Sequence, residues 1–191
     1  DTDINTVHVG LMENIWIGSN MGIQVWDPLK QLIVNWFQLD IDKVSGFTSY
    51  KNMIYSSVRK NGKWGIMEFI YSNEKIYYRD FYHTDDINDI VKIVSFEENI
   101  ILHTNQGLIA GNPHKEHPLY WTNPFPNITG DIQAINTNNN SLAIISSDAI
   151  YSIKVGGTSE ALLQDNIYLN SINYVEIQGD QDFFAISDSV L

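Results

Sequence analysis

Hydrophobic and polar positions along the chain follow one repeated pattern. Short apolar runs, each followed by a polar turn, begin at Ile15, Met53, Ile100, Leu142 and Phe183. These starting points are 38, 47, 42 and 41 residues apart, and the mean spacing is 42. A fixed period of roughly 20 to 50 residues is typical of repeat proteins. The pattern therefore predicts a chain of five successive structural repeats.

A second motif keeps the same period ahead of each run. It has the form Asp-Ile-x-x-Val/Ile and starts at Asp3, Asp86 and Asp131, with looser copies at Asp42 and Ser171. Two motifs at a constant offset define the repeat boundaries. We expect a single domain made of repeats 3–40, 42–83, 86–126 and 131–169, followed by a partial repeat 171–191.

Each complete repeat reads as four short β segments separated by turn residues such as Asn61-Gly62 and Asp27-Pro28. The segments predicted in the first two repeats are Asn5–Met12, Asn14–Ser19, Gly22–Trp26, Leu32–Gln38, Val44–Tyr50, Met53–Arg59, Trp64–Tyr71 and Lys75–Tyr82. Those in the next two are Ile90–Phe96, Ile100–Thr104, Leu108–Gly111, Leu119–Thr122, Ile132–Asn136, Leu142–Ser146, Ile150–Val155 and Leu162–Tyr168. Long stretches with helical apolar spacing are absent from the sequence, which predicts an all-β chain.

Four antiparallel strands per repeat of this length are typical of the blades of a β-propeller, which stack face to face around a central channel. The alternative is a sandwich or jelly roll of irregular strands. The chain contains about four and a half blades, because it stops as the third strand of the fifth repeat begins. We therefore expect part of a larger or incomplete propeller whose remaining strands lie in sequence not present here.

One blade carries a more specific signature. The segment Glu13–Pro28 contains Ile-Trp-Ile-Gly-Ser, a short loop to Gly-Ile, and a strand that ends at Asp-Pro. It resembles the blade signature of the two-component regulator propeller family, with Ser19 where Thr is usual. The resemblance implies a module outside the cytoplasm, periplasmic or at the cell surface, in a bacterial sensor or a secretion-associated protein. Such modules bind ligands such as glycan fragments rather than catalyse reactions.

Composition and charge exclude several classes of partner. The 191 residues include 11 Lys and Arg against 23 Asp and Glu, which gives a net charge of −12. Nucleic acid is a poor partner for such a surface, because binding to phosphate backbones depends on Lys and Arg. No apolar run reaches the roughly 18 residues that suggest a membrane-spanning helix. The chain has no cysteine, so disulfides and Cys-ligated zinc are excluded, and we predict no metal site and no cofactor.

The repeat symmetry singles out a set of carboxylates. Repeated strand starts would place them together at one end of the channel, where their negative potential would attract a cation or a basic peptide. The alternative is that each carboxylate accepts a hydrogen bond from a backbone N–H two residues on, in a turn that begins a strand. The candidate residues are Asp3, Asp42, Asp86, Asp89 and Asp131.

Aromatic side chains are concentrated in the second repeat, beside much of the positive charge of the chain. Strand alternation predicts Tyr78 and Tyr82 on one face and Tyr77 and Phe81 on the other. Trp64, Tyr78 and Tyr82 are candidates for stacking on a sugar ring or a partner side chain. The alternative is that these rings pack between blades. A loop between Pro113 and Pro118 carries His114 and His117, and we interpret it as a solvated loop rather than a metal site.

These observations favour a non-enzymatic module that binds a ligand or a protein. Its partner would be another protein, the remaining part of the parent chain, or a glycan. One alternative is a structural scaffold within a large assembly, such as secretion machinery or a viral tail. Another is a lyase or hydrolase propeller that uses carboxylates at the rim of the channel.

Overall fold

A computed structural model of the chain describes residues 3–83, 86–138, 140–157, 159–164, 169–178 and 182–187. In these ranges the backbone forms seventeen β-strands, and its only helical elements are 3-10 turns at Leu11–Glu13, Pro118–Tyr120 and Leu169–Ser171. The strands belong to five separate antiparallel sheets. The chain is therefore all-β, as its pattern predicts.

Each sheet is a simple up-and-down arrangement in which neighbours in sequence are neighbours in the sheet. Sheet 1 contains β1 (Ile4–Val9), β2 (Ile15–Ser19), β3 (Gly22–Asp27) and β4 (Leu32–Phe37). Sheet 2 contains β5 (Ile41–Tyr50), β6 (Met53–Lys60), β7 (Lys63–Ser72) and β8 (Lys75–His83). Sheet 3 contains β9 (Ile90–Phe96), β10 (Asn99–Thr104) and β11 (Gly107–Gly111). Sheet 4 contains β12 (Ile132–Thr137), β13 (Ser141–Ser146), β14 (Ala149–Lys154) and β15 (Ser159–Gln164), and sheet 5 contains β16 (Ile172–Gln178) and β17 (Asp182–Ser187).

The fourth strand predicted in the third repeat is wrong. Residues Leu119–Thr122 contain the end of a 3-10 turn that begins at Pro118, and only Thr122 pairs with β11, where its carbonyl accepts from Ala110 N at 2.9 Å. Proline at position 118 has a fixed φ and no N–H, which favours the turn over a strand. In the fourth repeat the outer strand is Ser159–Gln164, earlier than the predicted Leu162–Tyr168, and residues 165–168 lie outside the described ranges.

The hairpin between the second and third strands fixes the register of the repeat. It starts at Ser19, Lys60, Thr104 and Ser146, which are 41, 44 and 42 residues apart. Counted back from the start of the hairpin, Ser56 rather than Met53 is the residue of the second repeat that corresponds to Ile15. The uneven spacings of 38 and 47 in the apolar runs arise because β6, at 8 residues, starts earlier than its counterparts.

A hydroxyl group closes this hairpin in three sheets. Ser19 Oγ accepts a hydrogen bond from Met21 N at 3.1 Å and donates one to the Gly22 carbonyl at 3.2 Å. Thr104 makes the same pair of bonds with residues 106 and 107, and Ser146 with residues 148 and 149. In sheet 2 the turn is Asn61-Gly62, with φ of 51° and 77°, which needs no hydroxyl. The Ser or Thr that ends the blade signature is therefore a turn-closing residue.

The hydrophobic core lies between the sheets rather than within them. The face of a sheet that is directed toward the preceding sheet is its leading face, and the face directed toward the following sheet is its trailing face. Among the described residues, sheets 2 to 4 make both contacts, sheet 1 makes only the trailing one and sheet 5 only the leading one. Four clusters fill the four interfaces: Trp16 and Ile23 against Val44 and Val58, Tyr55 and Trp64 against Ile93 and Leu102, Ile101 and Leu108 against Ile135 and Ile144, and Ala143 and Ile145 against Ile172 and Val175. The first strands of successive sheets also contact one another, so they are the inner strands of a common channel.

Candidate functional site

Hydrogen bonds between side chains and neighbouring strands join the inner strands of the first four sheets. His8 Nε2 lies 2.8 Å from Ser49 Oγ, and Ser95 Oγ donates to the Ser49 carbonyl at 2.8 Å. Thr48 Oγ1 donates to Ser95 Oγ at 3.1 Å, and Thr137 Oγ1 donates to the Ser95 carbonyl at 3.2 Å. Burial, with a smaller contribution from the charge of Lys92, lowers the pKa of His8. The imidazole is therefore neutral at physiological pH.

The same type of contact continues to the fifth sheet. Asn136 Nδ2 lies 2.9 Å from the Val175 carbonyl and 2.9 Å from Glu176 Oε2. Every pair of successive inner strands from sheet 1 to sheet 5 is thus connected through polar side chains as well as through apolar packing. These polar groups surround the channel.

A cleft of about 560 Å³ opens where these inner strands end, and we call it the distal cleft. Its polar lining comes from hydroxyl, imidazole and amide groups and from the carboxylate of Glu97, which accepts a hydrogen bond from Gly156 N at 2.7 Å. Its apolar lining comes from Val9, Phe96 and Val155. The polar side chains that face it include His8, Thr48, Ser49, Ser95, Thr137 and Asn138. Because it draws on sheets 1 to 4, this cleft exists only when the sheets are assembled.

A second cleft, of about 620 Å³, lies where the inner strands of sheets 3 and 4 begin, and we call it the proximal cleft. Asn105, Gln106, Asp131 and Gln133 line it. His103 also lines it, with Nε2 3.1 Å from the Ile132 carbonyl, and burial lowers the pKa of its imidazole. This cleft is built from fewer sheets than the distal cleft, and each cleft has one carboxylate in its lining, Asp131 here and Glu97 there.

The predicted carboxylates lie at the starts of the inner strands, on the proximal side. Asp42 Oδ2 accepts from Gly62 N at 2.8 Å, so its partner is the hairpin of its own sheet and not a residue two positions on. Asp89 and Asp131 pair through their backbones with Asn105 and Ser147 of the corresponding hairpins. Residues at the starts of β5, β9 and β12 thus fasten these three inner strands to the hairpins beside them.

The remaining two carboxylates, like Asp42 and Asp131, are exposed. The Asp86 backbone carbonyl accepts a hydrogen bond from Gln106 Nε2 at 2.8 Å. Asp3 precedes β1 on the surface. Of the five predicted residues, only Asp131 lines the proximal cleft. Within the described ranges, no three His, Asp or Glu side chains lie close enough together to hold a metal ion.

The predicted aromatic residues do not share one surface. Trp64 is buried between sheets 2 and 3, with Lys43 Nζ 5.7 Å from its ring centre. Tyr78 packs on Phe69 toward sheet 1, whereas Tyr82 faces sheet 3. The expectation that Tyr78 and Tyr82 lie on the same face is wrong, because a bulge shifts the register of β8 between the pairs with Glu68 and Phe69. The structure therefore gives these three rings packing roles.

Sequence reasoning missed a buried polar cluster beside Tyr82. Glu68 is fully buried, and its carboxylate accepts from Arg79 Nη1 at 2.7 Å and from the Tyr82 hydroxyl at 3.3 Å. Burial and the Glu68 charge raise the pKa of Tyr82 to about 12. Burial, with Glu68 as the next cause, also raises the pKa of Tyr55. The signal in the sequence is a single carboxylate inside the apolar run Gly65–Ile70.

The loop after β11 completes this cluster. His114 Nε2 lies 2.9 Å from the buried Tyr55 hydroxyl, and the His117 ring packs edge-on against Tyr82 with centres 5.6 Å apart. Both histidines are largely exposed, as a loop predicts, but each contacts sheet 2 through its ring. The loop takes the place of a fourth strand by docking on the neighbouring sheet.

No known family profile matches the chain, and no curated protein matches it. Several solved structures share its fold. One is PorZ, a surface component of the type-IX secretion system of Porphyromonas gingivalis, with a TM-score of 0.61 and 12% identity over 98% of this chain and 26% of that one. The chain has an open β-propeller fold.

Two further similar structures come from B. thetaiotaomicron. They are the extracellular domain of BT3049, assigned as a hybrid two-component system, and that of BT4673, assigned as a one-component system. The TM-scores are 0.60 and 0.61, and the identity is 14% for both. The alignments cover 91% and 95% of this chain and 24% and 25% of those chains. The chain thus spans about a quarter of the length of these structures, and the likeness concerns the fold alone.

In the described part of the chain, none of the helical turns is long or apolar enough to cross a lipid bilayer.

Proposed function

We propose that this chain is a non-enzymatic binding module of a bacterial protein that acts outside the cytoplasm. The resemblance of Glu13–Pro28 to two-component regulator propellers supports this location, as do the similar structures, which are extracellular domains and a surface component. The ligand is a neutral glycan fragment, and its site is the distal cleft. No turnover accompanies binding.

The lining of the distal cleft is the observation that carries the proposal. Hydroxyl, imidazole and amide groups from four sheets, together with the Glu97 carboxylate, face the same space as Val9, Phe96 and Val155. A sugar presents hydroxyl groups and apolar C–H surfaces side by side, so a lining of mixed polarity suits it. A few polar groups within a partly apolar concavity are typical of small-molecule sites. Because the imidazole of His8 is kept neutral by burial, this part of the lining favours an uncharged ligand over an anionic one.

Binding can be measured by calorimetry and by thermal shift against a panel of neutral oligosaccharides. A ligand that binds only the folded state raises its stability with increasing ligand concentration. Asn138→Trp places a large ring at the end of β12, beside the distal cleft, and should abolish the shift. The matched control is Asn105→Trp, which places the same ring beside the proximal cleft.

The pair of variants separates three results. Loss of binding in Asn138→Trp alone supports the distal cleft. Loss in Asn105→Trp alone would move the ligand to the proximal cleft and contradict the assigned site. Stabilisation of the wild-type chain by none of the oligosaccharides would overturn the glycan proposal.

A structural scaffold is the second candidate. The hydrogen bonds that join all five inner strands favour it, because they hold successive sheets at a fixed spacing. Under this function no oligosaccharide stabilises the chain, and both tryptophan variants enter the same protein assembly as the wild type does. Assembly can be followed by the mass of the purified complex.

A further inference from the structure

The first sheet leaves an apolar leading face uncovered. Val7 is paired with the residue of the second strand that lies two positions before the hairpin to the third strand. In the other sheets this position is occupied by Val44, Ile93, Ile135 and Val175. Those four counterparts are 0, 1, 3 and 2% exposed, whereas Val7 is 58% exposed. The repeat therefore makes this position a buried one, and in sheet 1 none of the described sheets covers it.

The residues around Val7 extend this uncovered face across all four strands. Directly paired residues of an antiparallel sheet project from the same face. The pairs place two rows on the leading face, and seven of the eight residues are apolar: Val7, Ile17, Gln24 and Trp36 in one row, and Val9, Ile15, Trp26 and Ile33 in the other. The apolar surface left in water is on the order of 400 Å², which is in the size range of the largest apolar patch on a monomer, and such patches are often functional.

The last sheet leaves the opposite face uncovered. Phe184 and Ile186 correspond to Ala143 and Ile145 of sheet 4, by their distance from the end of the second strand. The residues of sheet 4 are fully buried by sheet 5, whereas Phe184 and Ile186 are each 55% exposed. Tyr174, paired with Ile186, adds a second aromatic ring and a third large side chain to this trailing face.

We propose that the trailing face of sheet 5 packs on the leading face of sheet 1 of a second copy of this chain. All four internal interfaces are formed by a trailing face on a leading face. The two uncovered faces are the separated halves of one more such interface, and the same molecule carries both. Because the halves differ, the contact is heterologous and joins copies head to tail.

The two described strands of sheet 5 set the extent of the contact. They cover the inner half of the leading face, where Val7, Val9, Ile15 and Ile17 lie. The net charge of −12 opposes association of two copies, and salt screens this repulsion. Self-association therefore strengthens as the salt concentration rises. This direction of the salt dependence is the one expected for an apolar contact between like-charged molecules.

The test is the molar mass of the purified chain, measured by light scattering from about 10 µM to about 1 mM, a range that detects micromolar to millimolar dissociation constants. The wild-type mass should rise above 21.8 kDa with concentration. Val7→Lys should remove the leading face, and Phe184→Lys the trailing face, so each variant stays at the monomer mass. Leu29→Lys is the control, because Leu29 is 88% exposed in the β3–β4 turn and belongs to neither face.

An equimolar mixture of Val7→Lys and Phe184→Lys gives the sharpest result. Each variant retains one intact face, so the mixture should form a dimer and nothing larger, although neither variant associates alone. Circular dichroism checks that both variants remain folded. A wild-type chain that stays monomeric at the highest concentration in high salt would overturn the proposal. So would a mixture that stays monomeric, or a control that loses association.

Discussion

Among the ion pairs of the described residues, the pair of Arg79 with Glu68 is the one with a fully buried partner, and replacing Arg79 should lower the free energy of unfolding most. The Glu68 carboxylate is fully buried between sheets 2 and 3, and its cationic partner is Arg79, with Nη1 2.7 Å from Oε1. The Tyr82 hydroxyl is its second donor, at 3.3 Å. Arg79→Met removes the cation and leaves a buried carboxylate with one neutral hydrogen bond. The folded state must then hold an uncompensated charge away from water.

The size of the effect follows from the exposure of the two side chains. Breaking a fully buried ion pair costs about 3–5 kcal/mol. The Arg79 side chain is 49% exposed, whereas that of Glu68 is 1% exposed. Water therefore screens one partner, and we expect Arg79→Met to lower the free energy of unfolding by about 2–3 kcal/mol. For a chain of this size, that corresponds to a fall in Tm of about 4–12 °C.

Urea unfolding followed by circular dichroism can measure this loss in a double-mutant cycle with Glu68→Gln. If Arg79 acts through Glu68, the double variant should lose less than the sum of the single losses, with a coupling energy of at least about 1 kcal/mol. Additive losses would refute the reasoning. Lys115→Met is the control, because Lys115 lies at the same 2.7 Å from Glu98 with side chains 68% and 62% exposed. It should leave the urea midpoint nearly unchanged, because water screens an exposed ion pair.

Three further predictions concern packing, turns and pH. Gly18→Ala should lower the unfolding free energy by about 1–3 kcal/mol, because a Cβ at Gly18 would lie 2.5 Å from Val44 Cγ1; an unchanged urea midpoint would contradict this contact. Thr104→Val should cost about 1 kcal/mol by removing the hydroxyl that closes the β10–β11 hairpin, and Thr104→Ser should retain most of the stability. Burial lowers the pKa of His103 below its ordinary value of 6.5. The unfolded chain therefore binds a proton first, so stability should fall as the pH drops below 6.5, and His103→Gln should reduce that slope in pH-dependent urea titrations.

The fold was predictable from the sequence because two independent signals repeat with one period. Turn chemistry and strand alternation located the strands of the first two repeats within three residues of their observed bounds. The third repeat broke the pattern at Pro118, where a local backbone constraint outweighed the repeat. Its loop is held by His114 and His117 on sheet 2, a contact between residues far apart in sequence that periodicity does not encode.

The candidate site was less predictable, for reasons that specific residues illustrate. A one-residue bulge in β8 moves Tyr82 to the opposite face from Tyr78, and strand alternation alone cannot locate a bulge. The distal cleft is built from common residues, such as Ser49, Ser95 and Thr137, that carry no motif. They become a site only through the assembly of four inner strands. The sequence motifs therefore indicate a site at the carboxylates, which lie at the other end of the channel.

The location of the core between the sheets determines how the protein unfolds locally. A sheet that buries its apolar residues only against its neighbours cannot remain ordered when a neighbour detaches, so the molecule behaves as a one-dimensional chain of coupled units. Sheets 2, 3 and 4 are each covered on two sides, whereas sheets 1 and 5 are covered on one. Amide hydrogen exchange should therefore be slowest in β6, β10 and β13 and fastest in the terminal sheets, with opening that proceeds from both ends toward the middle.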